Sequence, residues 1–375
     1  MDHTHIVKAG DLERYADTRE SEAVIPELIY WLIKQATPPP TACRIPYGDD
    51  VNQPGWDGLV EIERSFLEYV PQGTSYWEIG TGSDPQGKAT SDFRKRTEVL
   101  SAEAKANSAY VFVTPRSSGS GGWDEPRQTK WLNDRRDSGW RAVRIIDGVK
   151  LADWLREFPA VGRWMAKKLG LTNSLGGLTT PTEHWELVLV ESVSDDPPLP
   201  PKLFTEGRTN ACEALNSVFE GKTQTLLMFA ESPQDVADFV AAFLLTLDPA
   251  VSRGYANRCL YITDEEAWRS VVTSMVAQVL VADPRLGLET EERVDLQALA
   301  RKNGHSVIIP LCGAWSKEGP EIIKLRSPSQ SQIEAVLKEA GFLVRRLAAV
   351  LCCSRIVEKP WRPRRHRPTG QGPGW

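Results

Sequence analysis

The chain has 375 residues, 41% of them hydrophobic and 25% charged, with a formal net charge of −5. That make-up belongs to a globular protein long enough for two domains or three, each able to bury its own core. No apolar run approaches the roughly 18 to 20 residues needed to cross a bilayer, and no basic stretch leads into an apolar one at the start, so neither a membrane span nor a secretory signal is expected. The six cysteines (Cys43, Cys212, Cys259, Cys312, Cys352 and Cys353) are scattered without a C-x-x-C pair. This argues against a disulfide framework or a zinc site and fits a reducing cytoplasm. Cys259 and Cys312 adjoin apolar stretches and read as small core residues.

In chain order, residues 21–35 carry Val24, Ile25, Leu28, Ile29, Leu32 and Ile33 at helical spacing, and Pro38-Pro39-Pro40 ends that helix. Two extended segments follow, at 59–62 and 75–79. A polar helix over 89–103, a strand over 109–114, a Gly/Ser loop over 117–122 and a charged helix over 128–137 come next. A strand over 142–146, a helix over 151–158 and a short helix reaching 169 complete a mixed sheet flanked by helices. Residues 170–182 are rich in Gly, Thr, Ser and Pro and read as a linker. From 223 onward strands alternate with helices: strands 225–229, 259–263, 278–282, 306–311 and 322–325, helices 233–247, 265–274, 296–302 and 330–340. That alternation predicts a largely parallel sheet.

The tail from Leu343 holds eight Lys/Arg and one acid, with Trp361-Arg362-Pro363-Arg364-Arg365-His366-Arg367-Pro368 near its end. It has no sustained amphipathic period and is expected to be disordered. Its abrupt change of composition is read as an out-of-frame extension in preference to a nucleic-acid-binding arm.

Charge is unevenly spread. Residues 1–85 hold 6 Lys/Arg against 15 Asp/Glu, and residues 86–168 hold 17 against 10. An acidic half followed by a basic half in one domain suits a cation site facing a polyanion; a solvated mixed surface is the plainer alternative.

The residues with chemical character lie between Tyr47 and Lys95. Tyr47-Gly48-Asp49-Asp50 precedes Gln53-Pro54-Gly55-Trp56-Asp57-Gly58, and Tyr76-Trp77-Glu78-Ile79-Gly80-Thr81-Gly82 follows. Asp57 would open one strand and Glu78 sit inside its neighbour, where two carboxylates can share a divalent cation. Asp57 is alternatively a turn residue, whereas Glu78 in an apolar strand needs a partner. Trp56 and Trp77 flank the acids and read as core residues in preference to base-stacking ones. Arg94, Lys95 and Arg96 on the following helix suit phosphate contacts or a solvated face.

This arrangement resembles the PD-(D/E)xK nuclease superfamily, the fold of type II restriction enzymes, and within it the Mrr-like restriction endonucleases. The resemblance covers about residues 20–170 and includes Val143-Arg144-Ile145-Ile146-Asp147-Gly148-Val149-Lys150-Leu151, similar to the Mrr-like strand and helix start. It implies a Mg²⁺- or Mn²⁺-dependent endodeoxyribonuclease hydrolysing DNA phosphodiester bonds, with Asp57 and Glu78 as metal ligands and catalytic acids. Glu22 or Glu27 would correspond to the opening-helix glutamate of some members. The family's Glu-x-Lys lysine would fall at Gly80. Some members carry it on the next helix, which makes Lys95 and Lys88 the candidates.

The second half resembles a P-loop NTPase module of the STAND class without its phosphate-binding loop. After 225–229 the chain reads Ala230-Glu231-Ser232-Pro233-Gln234-Asp235, with no lysine. Gly221-Lys222-Thr223 precedes the strand and reads as a turn, and Asp264-Glu265 is a Walker-B-like pair or a helix cap. The expected class is therefore α/β throughout. A mixed-sheet restriction-endonuclease-like nuclease domain (1–170) leads through a linker and short connecting segment (171–222) to a mostly parallel three-layer, degenerate NTPase-like domain (223–342) and the basic tail (343–375). The resemblance implies a cytoplasmic protein of bacterial anti-phage or restriction defence, with DNA as partner, no membrane partner, and a homo-oligomer left open. The alternative is a catalytically inactive module that binds nucleic acid or protein.

Overall fold

The computed structural model describes residues 6–48, 55–117, 123–171, 176–190, 199–288, 294–312 and 322–341. Asp49, Asp50, most of the Gly/Ser loop and the tail from 343 lie outside the described residues. The protein is α/β, with two sheets, one of five strands and one of six.

The first sheet runs β1 (Ala42–Arg44), β2 (Gly58–Ile62), β3 (Gly73–Ile79), β4 (Ser108–Val113) and β5 (Ala142–Ile146), in that spatial order. The first two pairings are antiparallel, while β3–β4 and β4–β5 are parallel. Strand β1 was not expected; it is three half-exposed residues at a sheet edge with no apolar alternation to announce it.

Helices cover both faces. On one, Leu28, Ile29 and Leu32 of the Ser21–Lys34 helix pack with Val60, Trp77 and Val111, joined by Trp154 and Met165 of the helices Gly148–Arg156 and Pro159–Lys168. On the other, Phe93, Trp131 and Trp140 pack with Tyr110 and Phe112. The polar segment expected as one helix over 89–103 is two, Pro85–Val99 and Ala102–Ala106. Its break is fixed where Ser101 Oγ accepts from Ala104 N at 3.1 Å.

The second sheet has the order β11-β7-β10-β9-β8-β6, from β6 (Leu178–Thr179), β7 (Thr225–Phe229), β8 (Cys259–Ile262), β9 (Val279–Ala282), β10 (Ser306–Leu311) and β11 (Ile322–Lys324). Every pairing is parallel except β6–β8. Alternate residues of β8 serve opposite cores: Cys259 and Tyr261 pack with Phe239 and Leu215, Leu260 and Ile262 with Trp268 and Leu296. Cys259 is buried, as expected for a small core residue, but Cys312 is exposed because it follows the last buried residue of β10. The stretch read as linker and connection contributes β6 and the helix Thr209–Phe219, whose Ala211, Leu215 and Val218 enter the second core.

The two sheets are joined by polar contacts. Arg258 Nε donates to Gln35 Oε1 at 2.8 Å, Met275 N to Glu157 Oε2 at 2.7 Å, and Arg163 pairs with Glu183 at 2.7 Å. Among the described residues no helix is long and apolar enough to cross a membrane.

Candidate functional site

The register of β2 against β3 pairs Gly58 with Trp77 and Leu59 with Tyr76. Asp57 immediately precedes the first paired residue of β2, and its charge acts on Glu78 of β3. Trp77 is fully buried beneath the Ser21–Lys34 helix, so alternation turns Glu78 to the other face, toward the Pro85–Val99 helix. Glycine at 58 is a packing requirement. A β-carbon there would stand 2.9 Å from Ile45 Cγ1 and 3.0 Å from Trp77 Cβ. Asp57 Oδ2 accepts from Ile79 N at 2.8 Å, tying the entry of β2 to the end of β3.

Glu78 is 1% exposed. Its Oε1 accepts from Arg96 Nε at 2.5 Å, while Arg96 Nη2 donates to the Gly55 carbonyl and the guanidinium lies 4.9 Å from the Trp56 ring centroid. Burial first, and the charge of Asp57 second, push the Glu78 carboxyl up to about 8 against the opposing pull of Arg96. A buried carboxyl whose ionisation is opposed by a neighbouring acid is one that a bound cation would help to ionise.

Lys88 lies on the same helix as Arg96 and pairs with Asp92 at 2.8 Å. Burial pulls its ammonium down, but pairing with Asp92, with further attraction from Asp57 and Glu78, leaves it above its ordinary value. Its Cγ stands 3.0 Å from where a β-carbon on Gly80 would be. The lysine stem therefore fills the space that a side chain at position 80 would enter.

These elements border a cavity of about 310 Å³ lined by Glu22, Trp56, Asp57, Gly80 and Lys88 among others. Of the two opening-helix glutamates, Glu22 lines this cavity, whereas Glu27 accepts from Trp31 Nε1 at 3.3 Å within its own helix. Lys95 is exposed and is not among the residues that line the cavity. Trp77 packs the core, while Trp56 is half-buried at the cavity wall beneath Arg96. Arg96 was read only as a phosphate contact or a solvated charge; the signal that identifies it is the need of a strand-buried glutamate for a counter-charge.

Among the described residues no three His, Cys, Asp or Glu side chains cluster as metal ligands. Two carboxylates are a donor set that Mg²⁺ can use, but Glu78 is buried, its Oε1 is taken by Arg96, and it is not among the residues that line the cavity.

In the second sheet, the loop after β7 carries no phosphate cradle. Ser232 Oγ accepts from Asp235 N at 3.3 Å and Asp235 Oδ2 accepts from Ser232 N at 2.9 Å, a reciprocal cap of the Pro233–Leu245 helix. Asp264 Oδ1 accepts from Ala267 N at 2.8 Å and caps the Glu265–Val271 helix. No protein-family model matches the chain, and no curated protein matches its sequence.

Proposed function

We propose that the first sheet carries a Mg²⁺- or Mn²⁺-dependent endodeoxyribonuclease site of the PD-(D/E)xK, Mrr-like kind. The observation that carries this reading is the lysine stem of Lys88 lying over Gly80 at a cavity lined also by Asp57 and Glu22, its ammonium attracted by Asp57 and Glu78. Asp57 and Glu78 would hold the cation. When bound, the cation would acidify a water and offset charge on a phosphodiester oxygen. Lys88, kept protonated by Asp92, places a positive charge where the phosphate gains negative charge in the transition state. Asp57 is oriented by the Ile79 amide. Arg96 neutralises Glu78 and its stacking on Trp56 holds it there.

The test is cleavage of duplex and single-stranded DNA in Mg²⁺ or Mn²⁺. Asp57→Ala, Glu78→Gln and Lys88→Ala should each lower the rate by about 10²-fold or more, the scale of losing one charge-stabilising group, while Lys95→Ala should leave it within a factor of about two. Cleavage that survives both carboxylate substitutions sinks the assignment.

The direct Arg96–Glu78 ion pair favours a second reading, a non-cleaving module that binds nucleic acid or protein on the same face. DNA retention without cleavage in either metal would select it. In both readings the second sheet is a degenerate P-loop NTPase-like scaffold with helices on both faces, within a cytoplasmic defence protein whose homo-oligomerisation is left open.

A further inference from the structure

Where the two sheets meet, the helices Pro159–Lys168 and Pro249–Ala256 border a second cavity, of about 470 Å³. Its polar lining is unusual. The Arg253 guanidinium lies between two indoles, 5.3 Å from the Trp31 ring centroid and 5.4 Å from that of Trp164. Among the described residues Arg253 has no carboxylate within ion-pair distance, and its buried Nε has no hydrogen-bond partner. Asn257, one turn on, is 4% exposed, lines the same cavity, and its Nδ2 is likewise without a partner. A desolvated cation and a buried amide donor left unmatched cost free energy; both atoms are shielded from the open cavity, so a bound acceptor would recover that cost by drawing the two side chains toward it.

The surrounding charges set the class of that acceptor. Glu183 is held by Arg163 at 2.7 Å and Glu186 by Lys167 at 2.5 Å, so these acids are already compensated. Lys168, whose ammonium stands 5.9 Å from the Trp164 ring centroid, pairs with no acid among the described residues. Arg253 and Lys168 are thus the two cations of this lining that no acid among the described residues pairs with directly, although the charges of Glu27 and Glu186 act on Arg253. A phosphate monoester carries about −1.5 to −2 near pH 7 and presents three acceptor oxygens. The cavity is far larger than a phosphate, and its other walls combine an indole and alanines with Thr180, Thr182 and the two glutamates. Such walls suit a ring bearing hydroxyl groups, and the volume lies in the range of small-molecule sites.

We infer that the cleft between the two sheets is a binding site for a small phosphate monoester, a nucleoside monophosphate or sugar phosphate, held at its phosphate by Arg253, Asn257 and Lys168. The ligand would touch helices from both sheets, so its binding should also raise the melting temperature of the whole chain.

The experiment titrates the full-length chain calorimetrically with AMP, ribose 5-phosphate, inorganic phosphate and adenosine. At least one ester should bind, at least about tenfold more tightly than inorganic phosphate, and adenosine should not. Arg253→Gln should weaken the ester about tenfold or more, because the stacked cation is lost. Lys168→Glu lies on the exposed rim, does not threaten folding, and should do the same. Asp57→Ala should leave the affinity unchanged, which separates this site from the candidate nuclease centre. AMP binding without ribose 5-phosphate makes the ligand a nucleotide, and the reverse makes it a sugar phosphate. The inference is overturned if neither ester binds, if adenosine or inorganic phosphate binds as well as the esters, or if Lys168→Glu leaves the affinity untouched.

Discussion

Lys88 Cγ lies 3.0 Å from the point where Gly80 would carry a β-carbon, so the two positions compete for one volume. In the proposed nuclease reading, a lysine sent from the helix would stand in for the strand lysine, and the glycine would be what admits it. The exchange should be partly reversible. Lys88→Ala vacates the stem and should cost about 10²-fold or more in cleavage. Adding Gly80→Lys to that variant should restore at least about tenfold of the loss, because the ammonium would enter from β3. Gly80→Ala alone should instead push against Lys88 and Phe112, whose Cζ would be 3.1 Å away, and cost about 1 kcal/mol in denaturant unfolding. A double variant no more active than Lys88→Ala would separate Lys88 from the role of the strand lysine.

Glu78 supplies a pH signature. Its carboxyl rises from an ordinary 4.5 to about 8 in the folded chain. Between those values the folded state binds a proton that the unfolded state has released, so this group makes stability fall as pH rises from about 4.5 to about 8, with no further change above. Glu78→Gln removes the titration. The melting temperature of Glu78→Gln relative to wild type should therefore climb from pH 5 to pH 9. Mn²⁺ should flatten the wild-type slope, since a cation at the paired acids favours the ionised form. A difference between the two proteins that does not vary with pH would mean that Glu78 titrates as an ordinary carboxylate.

What was legible in the sequence follows from how each element earns its stability. Strands β5, β7 and β10 lie where their compact apolar runs place them, because those runs require burial. Strands β1 and β6, of three and two residues, are too short to show a period and exist only through pairing with β2 and β8. Asp57 and Glu78 were readable as a pair because strand register relates them. The choice between Lys88 and Lys95 was not readable, since residues about two turns apart lie near one helix face. Of the two, Lys88 packs on Gly80 and lines the cavity, whereas Lys95 does neither. Arg96 escaped for the converse reason: three neighbouring basic residues look alike until one is seen to meet a buried carboxylate.

Gly148 is a second glycine set by packing. Its N donates to Arg116 O at 2.8 Å, and an added β-carbon would stand 2.4 Å from the Pro115 carbonyl oxygen. Backbone on that side cannot swing away as a side chain would. Asp147 before it caps the Gly148–Arg156 helix through Lys150 N at 3.0 Å and accepts from buried Gln128 Nε2 at 3.0 Å, so the helix start is anchored as well. Gly148→Ala should therefore destabilise the chain by roughly 2 to 3 kcal/mol in denaturant unfolding. A loss below about 0.5 kcal/mol would show that the Pro115 segment yields.

Strand β7, the first of the parallel set, lies inside the sheet between β10 and β11, and the loop that leaves it faces the crevice where open parallel sheets take ligands. The amides that would cradle a phosphate there are engaged internally. Ser232 N donates to the Asp235 carboxylate, and Asp235 N donates to Ser232 Oγ. Glu231 Oε1 accepts from Ser327 Oγ at 3.2 Å, leaving a second acid at the loop. An incoming triphosphate would have to displace one carboxylate, approach another, and do so without the lysine that a phosphate-binding loop provides. Mg·ATP titrated into the chain carrying Lys168→Glu, chosen because it should weaken phosphate binding in the inter-sheet cleft, should give no saturable heat up to about 1 mM, a free energy weaker than about −4 kcal/mol. The melting temperature should also stay constant over that range. Saturable binding with a Kd below about 100 μM in that variant would mean that the reciprocal Ser232–Asp235 cap opens, and that the second sheet retains a working nucleotide site.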